Sequence, residues 1–186
     1  VQSEVRLYLS RWLAHPARVV SPHPSSARLS ALVAAKAIRS EEETVLEVGA
    51  GTGAVTRAMV AAGLQQKRLV AIELDAVMCD HLRSEFPEAT VLQGDARRPA
   101  ALVPPVWEGR ITSCVSGLPL LHWDLRQQRA FLDQIFALMP AEPRLVQYSN
   151  SPRPPLPTRE LGLRAQRLGF AWSGVFPHYV WEFRPA

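Results

Sequence analysis

Apolar positions along this chain follow two rhythms. Glu4–Ala14 places Val5, Tyr8, Leu9, Trp12 and Leu13 at i, i+3, i+4, i+7 and i+8, one face of a helix, with Arg6 and Arg11 flanking the stripe. Ser25–Ile38 predicts a second helix, with Pro24 and Ser25 near its start, and Ser21-Pro22-His23-Pro24 joins the two as extended chain. From Thr44 onward, short apolar runs alternate with helical spacing. Thr44–Val48, Arg68–Glu73, Thr90–Gln93, Ile111–Ser116 and Arg144–Tyr148 predict five strands of a buried parallel kind. Between them Thr52–Ala62, stopped by Gly63, then Asp75–Phe86 and Asp124–Met139 predict helices; the last puts Phe131, Ile135, Phe136 and Met139 on one face. Arg159–Leu168 predicts one more helix. Phe170–Val175 and Tyr179–Phe183 alternate apolar and polar residues and predict a closing antiparallel pair, with Pro177-His178 between them. The fold class is therefore α/β: a doubly wound, mostly parallel sheet closed by an antiparallel hairpin and preceded by N-terminal amphipathic helices.

Composition narrows the class further. The 186 residues suit one domain with a full core, and 47% hydrophobic with 20% charged residues excludes disorder and fibrous repeats. No apolar run approaches the roughly 20 residues of a membrane helix. No leader pattern is visible, and Cys79 and Cys114 form neither a disulfide framework nor a zinc spacing, so no metal is expected and a reduced, cytosolic protein is. Net charge is +4, and nearly all the base is arginine, with Lys36 and Lys67 as the lysines. Arginine pairs bidentately with phosphate, which points to an anionic partner; codon usage in a GC-rich genome accounts for it equally well. The charge is uneven. Residues 1–40 hold six basic side chains against Glu4 alone, a basic N-terminal segment ahead of a body at 41–186. Ser151–Pro157 (SPRPPLP) cannot be helix and reads as a rigid loop or a polyproline ligand.

The stretch that carries chemistry is Glu47-Val48-Gly49-Ala50-Gly51-Thr52-Gly53, in which a strand runs into three alternate glycines and then a helix. Glycine lets the backbone turn sharply and approach a ligand, and a helix N-terminus supplies free N–H donors. Glu73 follows 22 residues after Gly51, at the end of the second strand, where an acid accepts hydrogen bonds from a ribose diol. A dinucleotide site wants G-x-G-x-x-G; here the spacing is G-x-G-x-G behind an acid. That form resembles motif I of class I S-adenosylmethionine-dependent methyltransferases. Gly94-Asp95-Ala96 after the third strand and Ser116-Gly117-Leu118-Pro119 after the fourth follow in the family's order. The resemblance implies a Rossmann-like methyltransferase sheet, S-adenosylmethionine as cofactor and S-adenosylhomocysteine as product. It places Gly49, Gly51 and Gly53 beside the methionine and ribose and Glu73 on the ribose hydroxyls. Asp95 and the Ala96 N–H fall on the adenine, and Glu47 at the methionine end. It adds Leu74, Ser116 and the pair Ser25-Ser26 to the cofactor shell.

The acceptor is read from the loop after the fourth strand. Enzymes acting on an adenine amine resemble Asn/Asp-Pro-Pro-Tyr or Asn-Leu-Pro-Tyr there, a side-chain carbonyl to accept from the amine and a ring to stack the base. Gly117-Leu118-Pro119-Leu120 has neither, and Trp123 lies further along. An aliphatic amine has a different need: its pKa is near 10, so a proton must leave before nitrogen attacks, and the charge left on nitrogen favours aromatic faces. Tyr148 is the candidate to orient it, with Tyr8 and Tyr179 as further rings. Arg11-Trp12-Leu13 with Pro16, Ser116–Leu121, and Gln147-Tyr148-Ser149 running into Ser151–Pro157 together resemble bacterial phospholipid N-methyltransferases. These convert phosphatidylethanolamine stepwise towards phosphatidylcholine. The resemblance implies a peripheral enzyme at the inner membrane face, with Tyr8, Arg11, Trp12, Leu118, Arg153 and Tyr179 towards lipid, and no nucleic-acid or obligate protein partner. Ser149-Asn150 departs from the Tyr-Gly expected there, which leaves the number of methyl groups open. The basic first helix suits an anionic lipid surface and equally a lid on the sheet. Two alternatives stand beside this: an rRNA or other nucleic-acid adenine methyltransferase, and a non-catalytic cofactor-binding membrane adaptor. His23 and His122 are both conceivable proton acceptors.

Overall fold

A computed structural model describes residues 26–173 and 176–186. The first-helix positions Tyr8, Arg11 and Trp12, together with His23 and Ser25, lie outside the described residues. The elements are α1 (Ala27–Ala37), β1 (Val45–Val48), α2 (Ala54–Ala61), β2 (Leu69–Glu73), α3 (Ala76–Glu85), β3 (Thr90–Gln93), β4 (Ser113–Ser116), α4 (Leu125–Ala137), β5 (Leu145–Ser149), α5 (Thr158–Leu161), β6 (Leu163–Ser173) and β7 (Phe176–Pro185). They form one seven-stranded sheet in the order β3-β2-β1-β4-β5-β7-β6. The first five strands are parallel, and β7 runs antiparallel between β5 and β6.

Each face carries its own core. Leu46, Val48, Val70, Ile72, Cys114 and Leu145 pack against Phe131, Leu132 and Ile135 of α4. The alternate residues Val45, Leu69, Val115 and Val146 pack against Leu29, Val33 and Ala34 of α1 and Met59 of α2. Coverage on both sides explains why β1 and β2 are mostly apolar on both faces, broken by Glu47 and Glu73: every residue in them is buried. Side chains fix the helix starts. Ser26 accepts from Leu29 N, Asp75 from Val77 and Met78 N, and Asp124 closes a capping box with Gln127.

One ionic clamp ties α1 to the sheet. Arg144, just before β5, is almost wholly buried. Its Nη1 donates to Ala37 O at 2.9 Å, Nη2 donates to Lys36 O, and Nε meets Glu182 Oε2 of β7 at 2.6 Å. The guanidinium thus satisfies carbonyls at the C-terminus of α1, where the helix dipole favours a cation.

Two expectations fail at the C-terminal end. Arg159–Leu168 is not a helix: helical backbone stops after one turn at Gly162, which takes φ 64°, and the chain continues as β6. From there Leu163 is buried and Arg164 exposed, a two-residue rhythm that the spacing of Leu161, Leu163 and Leu168 disguised. Pro177-His178 is not the hairpin turn either. Both lie inside β7, paired with Trp172 and Ala171; proline is tolerated because this part of the strand extends beyond β5 and has β6 alone as its partner.

Candidate active site

At the C-terminal edge of the sheet, β1 runs into the glycine loop. Gly49, Gly51 and Gly53 all take left-handed backbone, with φ of 75°, 57° and 79°. A Cβ at Gly49 would lie 3.0 Å from Leu118 Cδ2, and one at Gly53, the N-cap of α2, 2.8 Å from Leu82 Cδ2. Backbone and neighbours therefore both demand glycine. The loop is tied down to β2 by Gly49 N donating to Ile72 O at 2.8 Å.

Two carboxylates stand beneath this loop. Glu73, ending β2, accepts from Gly51 N at 2.8 Å through Oε2, and from Leu74 N at 2.8 Å and Asp75 N at 3.0 Å through Oε1. Three N–H donors hold the group in one orientation. Counting about two acceptor sites per oxygen leaves one on Oε2 for a further donor. Glu47, on β1, is buried and accepts from Thr56 Oγ1 at 2.6 Å. Burial, opposed by that hydrogen bond and reinforced by the charge of Glu73, pushes its pKa up to about 8. Its protonated form is therefore favoured at neutral pH.

The loop after β4 is held from below at main-chain atoms. Ser116 Oγ accepts from Leu118 N at 3.2 Å. Gln147 Nε2 donates to Leu118 O at 3.0 Å, and Gln128 Nε2, from α4, to Leu120 O at 2.8 Å. Gly117 is where three segments meet. A Cβ there would lie 2.7 Å from Tyr148 Oη and 2.8 Å from Gly49 O, so the glycine is what lets the tyrosine hydroxyl reach the cofactor loop. Further out, Asp95 is gripped by its own Arg97, whose Nη2 stands 2.6 Å from Oδ2 and whose backbone N donates to Oδ1 at 3.0 Å. The Arg97 side-chain hydrogen bond holds the Asp95 carboxyl below its usual range.

Residues 45–141, just over half of the chain, match the family model described as a methyltransferase domain. The chain belongs to this family. S-adenosylmethionine, the cofactor that the glycine motif implies, fits the residues present: a glycine loop in which Gly49 and Gly53 leave no room for a Cβ, a fixed carboxylate with an acceptor position to spare, and Leu74 45% exposed beside it. Among solved structures, a TehB-like S-adenosylmethionine-dependent methyltransferase from Corynebacterium glutamicum is 17% identical over the whole of both chains, with a TM-score of 0.61. A glycopeptide N-methyltransferase complexed with S-adenosylmethionine is 13% identical, covering 91% of this chain and 98% of its own, with a TM-score of 0.66. A magnesium protoporphyrin IX methyltransferase from Synechocystis with bound S-adenosylmethionine is 11% identical over 98% and 97%, with a TM-score of 0.64. At such identities the likeness establishes the fold. A curated relative, ribosomal RNA small subunit methyltransferase A of Chlorobium phaeobacteroides, is 37% identical over 54 residues, 29% of this chain and 19% of that protein's length.

The methyltransferase thus brings Glu47, Gly49, Gly51, Gly53, Glu73, Ser116, Leu118 and Tyr148 to one sheet edge. Ala96 is buried next to the half-exposed Asp95. Ser26 serves as the cap of α1. Tyr179 pairs with Ser149 across β5 and β7, but packs with the α4-side core, whereas Tyr148 packs with the α1-side core; the two rings lie on opposite faces. Arg153 is exposed on the loop after β5, and His122 is exposed after β4. Both cysteines are buried, and burial pushes the Cys79 thiol up to about 11, which removes it as a nucleophile. Among the described residues no helix is long and apolar enough to cross a membrane. Sequence reasoning missed Thr56, Arg97, Gln128 and Gln147. Gln147 alone left a signal, a polar side chain inside an apolar strand.

Proposed function

We propose that this methyltransferase methylates the amine of phosphatidylethanolamine, and of its mono- and dimethyl derivatives, at a membrane surface. The observation that carries this is the junction at Gly117. Two oxygens, Tyr148 Oη and Gly49 O, stand within 3 Å of where a Cβ on Gly117 would lie, and no amide or stacking ring accompanies them on the loop after β4. Hydroxyl and carbonyl oxygens suit the N–H groups of an aliphatic amine, whose charge grows as it is alkylated.

S-adenosylmethionine, when bound, supplies a methyl group on a sulfonium centre. The chain's own residues do the positioning. Glu73 holds ribose hydroxyls, Asp95 and Ala96 N–H take the adenine edge, and Glu47 stands at the methionine end. Tyr148 accepts from the incoming amine and fixes the direction of its lone pair; alignment of this kind is most of what such a site contributes. Arg153 is the contact for the lipid phosphate. The segment with Tyr8, Arg11 and Trp12 is the part that sequence assigns to the anionic surface, and removing residues 1–14 is expected to reduce liposome co-sedimentation.

Radiolabelled cofactor with either phosphatidylethanolamine liposomes or unmodified ribosomal RNA tests the acceptor. Label is expected in mono-, di- or trimethylated lipid, and Tyr148→Phe is expected to lower its rate at least about tenfold with cofactor affinity unchanged. The 54-residue match to a ribosomal RNA methyltransferase supports RNA as a second acceptor class, and label in RNA alone would select it.

A further inference from the structure

The β6–β7 hairpin carries a surface that the methyl-transfer site does not use. β5 ends at the Ser149–Tyr179 pair, whereas β6 and β7 go on pairing through Ala171–His178, Trp172–Pro177 and Ser173–Phe176. At about 3.3 Å per residue, the Trp172–Pro177 pair stands about 7 Å beyond the end of β5. This overhang is on the edge where Glu73, Gly117 and Tyr148 gather.

The overhang has one packed face and one bare face. On the α1 side Ala171 is buried and Gly169 lies against Leu32, where a Cβ would meet Leu32 Cδ1 at 3.3 Å. On the other side Phe170 is 60% and Trp172 55% exposed, with Tyr179 opposite Phe170, the two ring centroids 6.1 Å apart. An antiparallel ribbon ordinarily turns polar residues to solvent, so two large exposed aromatics on one face call for a partner.

A register shift puts them there. Before Arg167, the odd-numbered residues of β6 share the face of Trp181 and Phe183; a bulge between Arg167 and Gly169 slips the strand by one, and from then on the even-numbered Phe170 and Trp172 take that face. Without the bulge both rings would point towards α1.

Charge says what the partner is. Of the five arginines between Glu142 and Glu182, Arg159 and Arg164 lie by the far end of β6, and Arg167, opposite Trp181, is exposed and set back from the tip. Arg144 is consumed by the clamp on α1, but Arg153 is exposed and has no carboxylate partner among the described residues. The stretch Leu168–Trp181 has no arginine or lysine at all. An aromatic, uncharged tip with cations set back from it is the arrangement of an interfacial anchor, whereas surfaces that stack nucleobases interleave cations with their rings to follow the phosphates. Leu121, 48% exposed after β4, adds aliphatic surface at the same edge.

We infer that the overhanging tip of the β6–β7 hairpin inserts Phe170 and Trp172 into the interfacial layer of an anionic lipid membrane. This rests on the proposed function only for the lipid as substrate; insertion itself requires neither cofactor nor an amine. The test uses the full chain, without cofactor, on vesicles of phosphatidylcholine with a minor share of phosphatidylglycerol. The double variant Phe170→Ser/Trp172→Ser is expected to bind vesicles at least about tenfold more weakly, with thermal stability and cofactor affinity unchanged. Brominated acyl chains are expected to quench the wild type more than Trp172→Phe. Unchanged vesicle binding in the double variant overturns insertion. So does loss of salt-sensitive RNA binding with vesicle binding intact, or tighter vesicle binding, which would mean that the rings are covered from within the chain. Because these vesicles contain no phosphatidylethanolamine, failure of the acceptor assignment reads out separately, as vesicle binding without methyl transfer to phosphatidylethanolamine.

Discussion

Replacing Arg144 by methionine tests the ionic clamp on α1. The substitution keeps the aliphatic stem and removes three interactions at once: the pair with Glu182 Oε2 at 2.6 Å, and the donors to Ala37 O and Lys36 O. Glu182 is 11% exposed and would retain Arg184 Nε at 2.7 Å, a partner itself 32% exposed. Removing one member of a buried pair typically costs about 3–5 kcal/mol; the lost carbonyl donors push towards the upper end and the retained Arg184 towards the lower. A value of about 4 kcal/mol is expected, or about 8–16 °C in Tm for a chain of this size. Urea unfolding followed by circular dichroism measures it. Adding Glu182→Leu should restore at least half of the loss, because an apolar pair in the same volume leaves no charge stranded. Burial raises the Glu182 pKa, but hydrogen bonds and charge from Arg144 and Arg184 outweigh it and hold the carboxyl below its usual range. Its contribution is therefore present above the unfolded pKa and is lost as pH falls through the folded one, and Arg144→Met should flatten that acid limb. A loss under about 1 kcal/mol, or a double variant no better than the sum of the singles, would refute the clamp.

Three other outcomes are expected. Glu73→Gln puts an amide where three N–H groups converge, so calorimetry should show cofactor affinity reduced at least about tenfold, and unchanged affinity would move the ribose elsewhere. Glu47, with its pKa raised to about 8, binds its proton more tightly folded than unfolded; its contribution to stability is greatest below the unfolded value of 4.5 and declines as pH rises to about 8. Glu47→Gln should therefore gain roughly 3–5 kcal/mol over the wild type between pH 4.5 and 8, and parallel pH profiles would contradict the burial. Gly53→Ala meets both the left-handed φ and Leu82 Cδ2, so a loss of about 1–3 kcal/mol in thermal unfolding is expected, together with weaker cofactor binding.

The parallel half of the fold was legible because each signal there is local. Short, mostly apolar runs marked β1 and β2, Ser, Asp and Gly marked the helix ends, and the alternate glycines with Glu73 pointed to one edge of the sheet before any contact was known. The hairpin was not legible for the opposite reason. Leu161, Leu163 and Leu168 fit both a helical and a strand rhythm, and what decides between them is Gly162 together with pairing to β7, a partner later in the chain. The bulge at Leu168 then shifts every later side chain to the other face, and no composition rule announces that. Around the site, Gln128 and Gln147 act on carbonyls of a loop contributed by another element. A glutamine in a helix or strand does not say which backbone oxygen it will meet. Asp95 was read as the adenine-contacting acid, but its engagement by Arg97 depends on side-chain geometry that spacing does not encode.

The hold on the loop after β4 bears on how such a protein changes over generations. Gln128 and Gln147 grip main-chain carbonyls, and Ser116 accepts from a main-chain N–H. None of these bonds depends on the identity of the side chains that the loop presents outward, and Leu121 in particular stands half in solvent. Mutations at such outward positions alter what the loop touches without loosening the frame that aims it. Acceptor preference can therefore shift by single substitutions without disturbing the fold beneath, so novelty and stability rest on separate sets of residues.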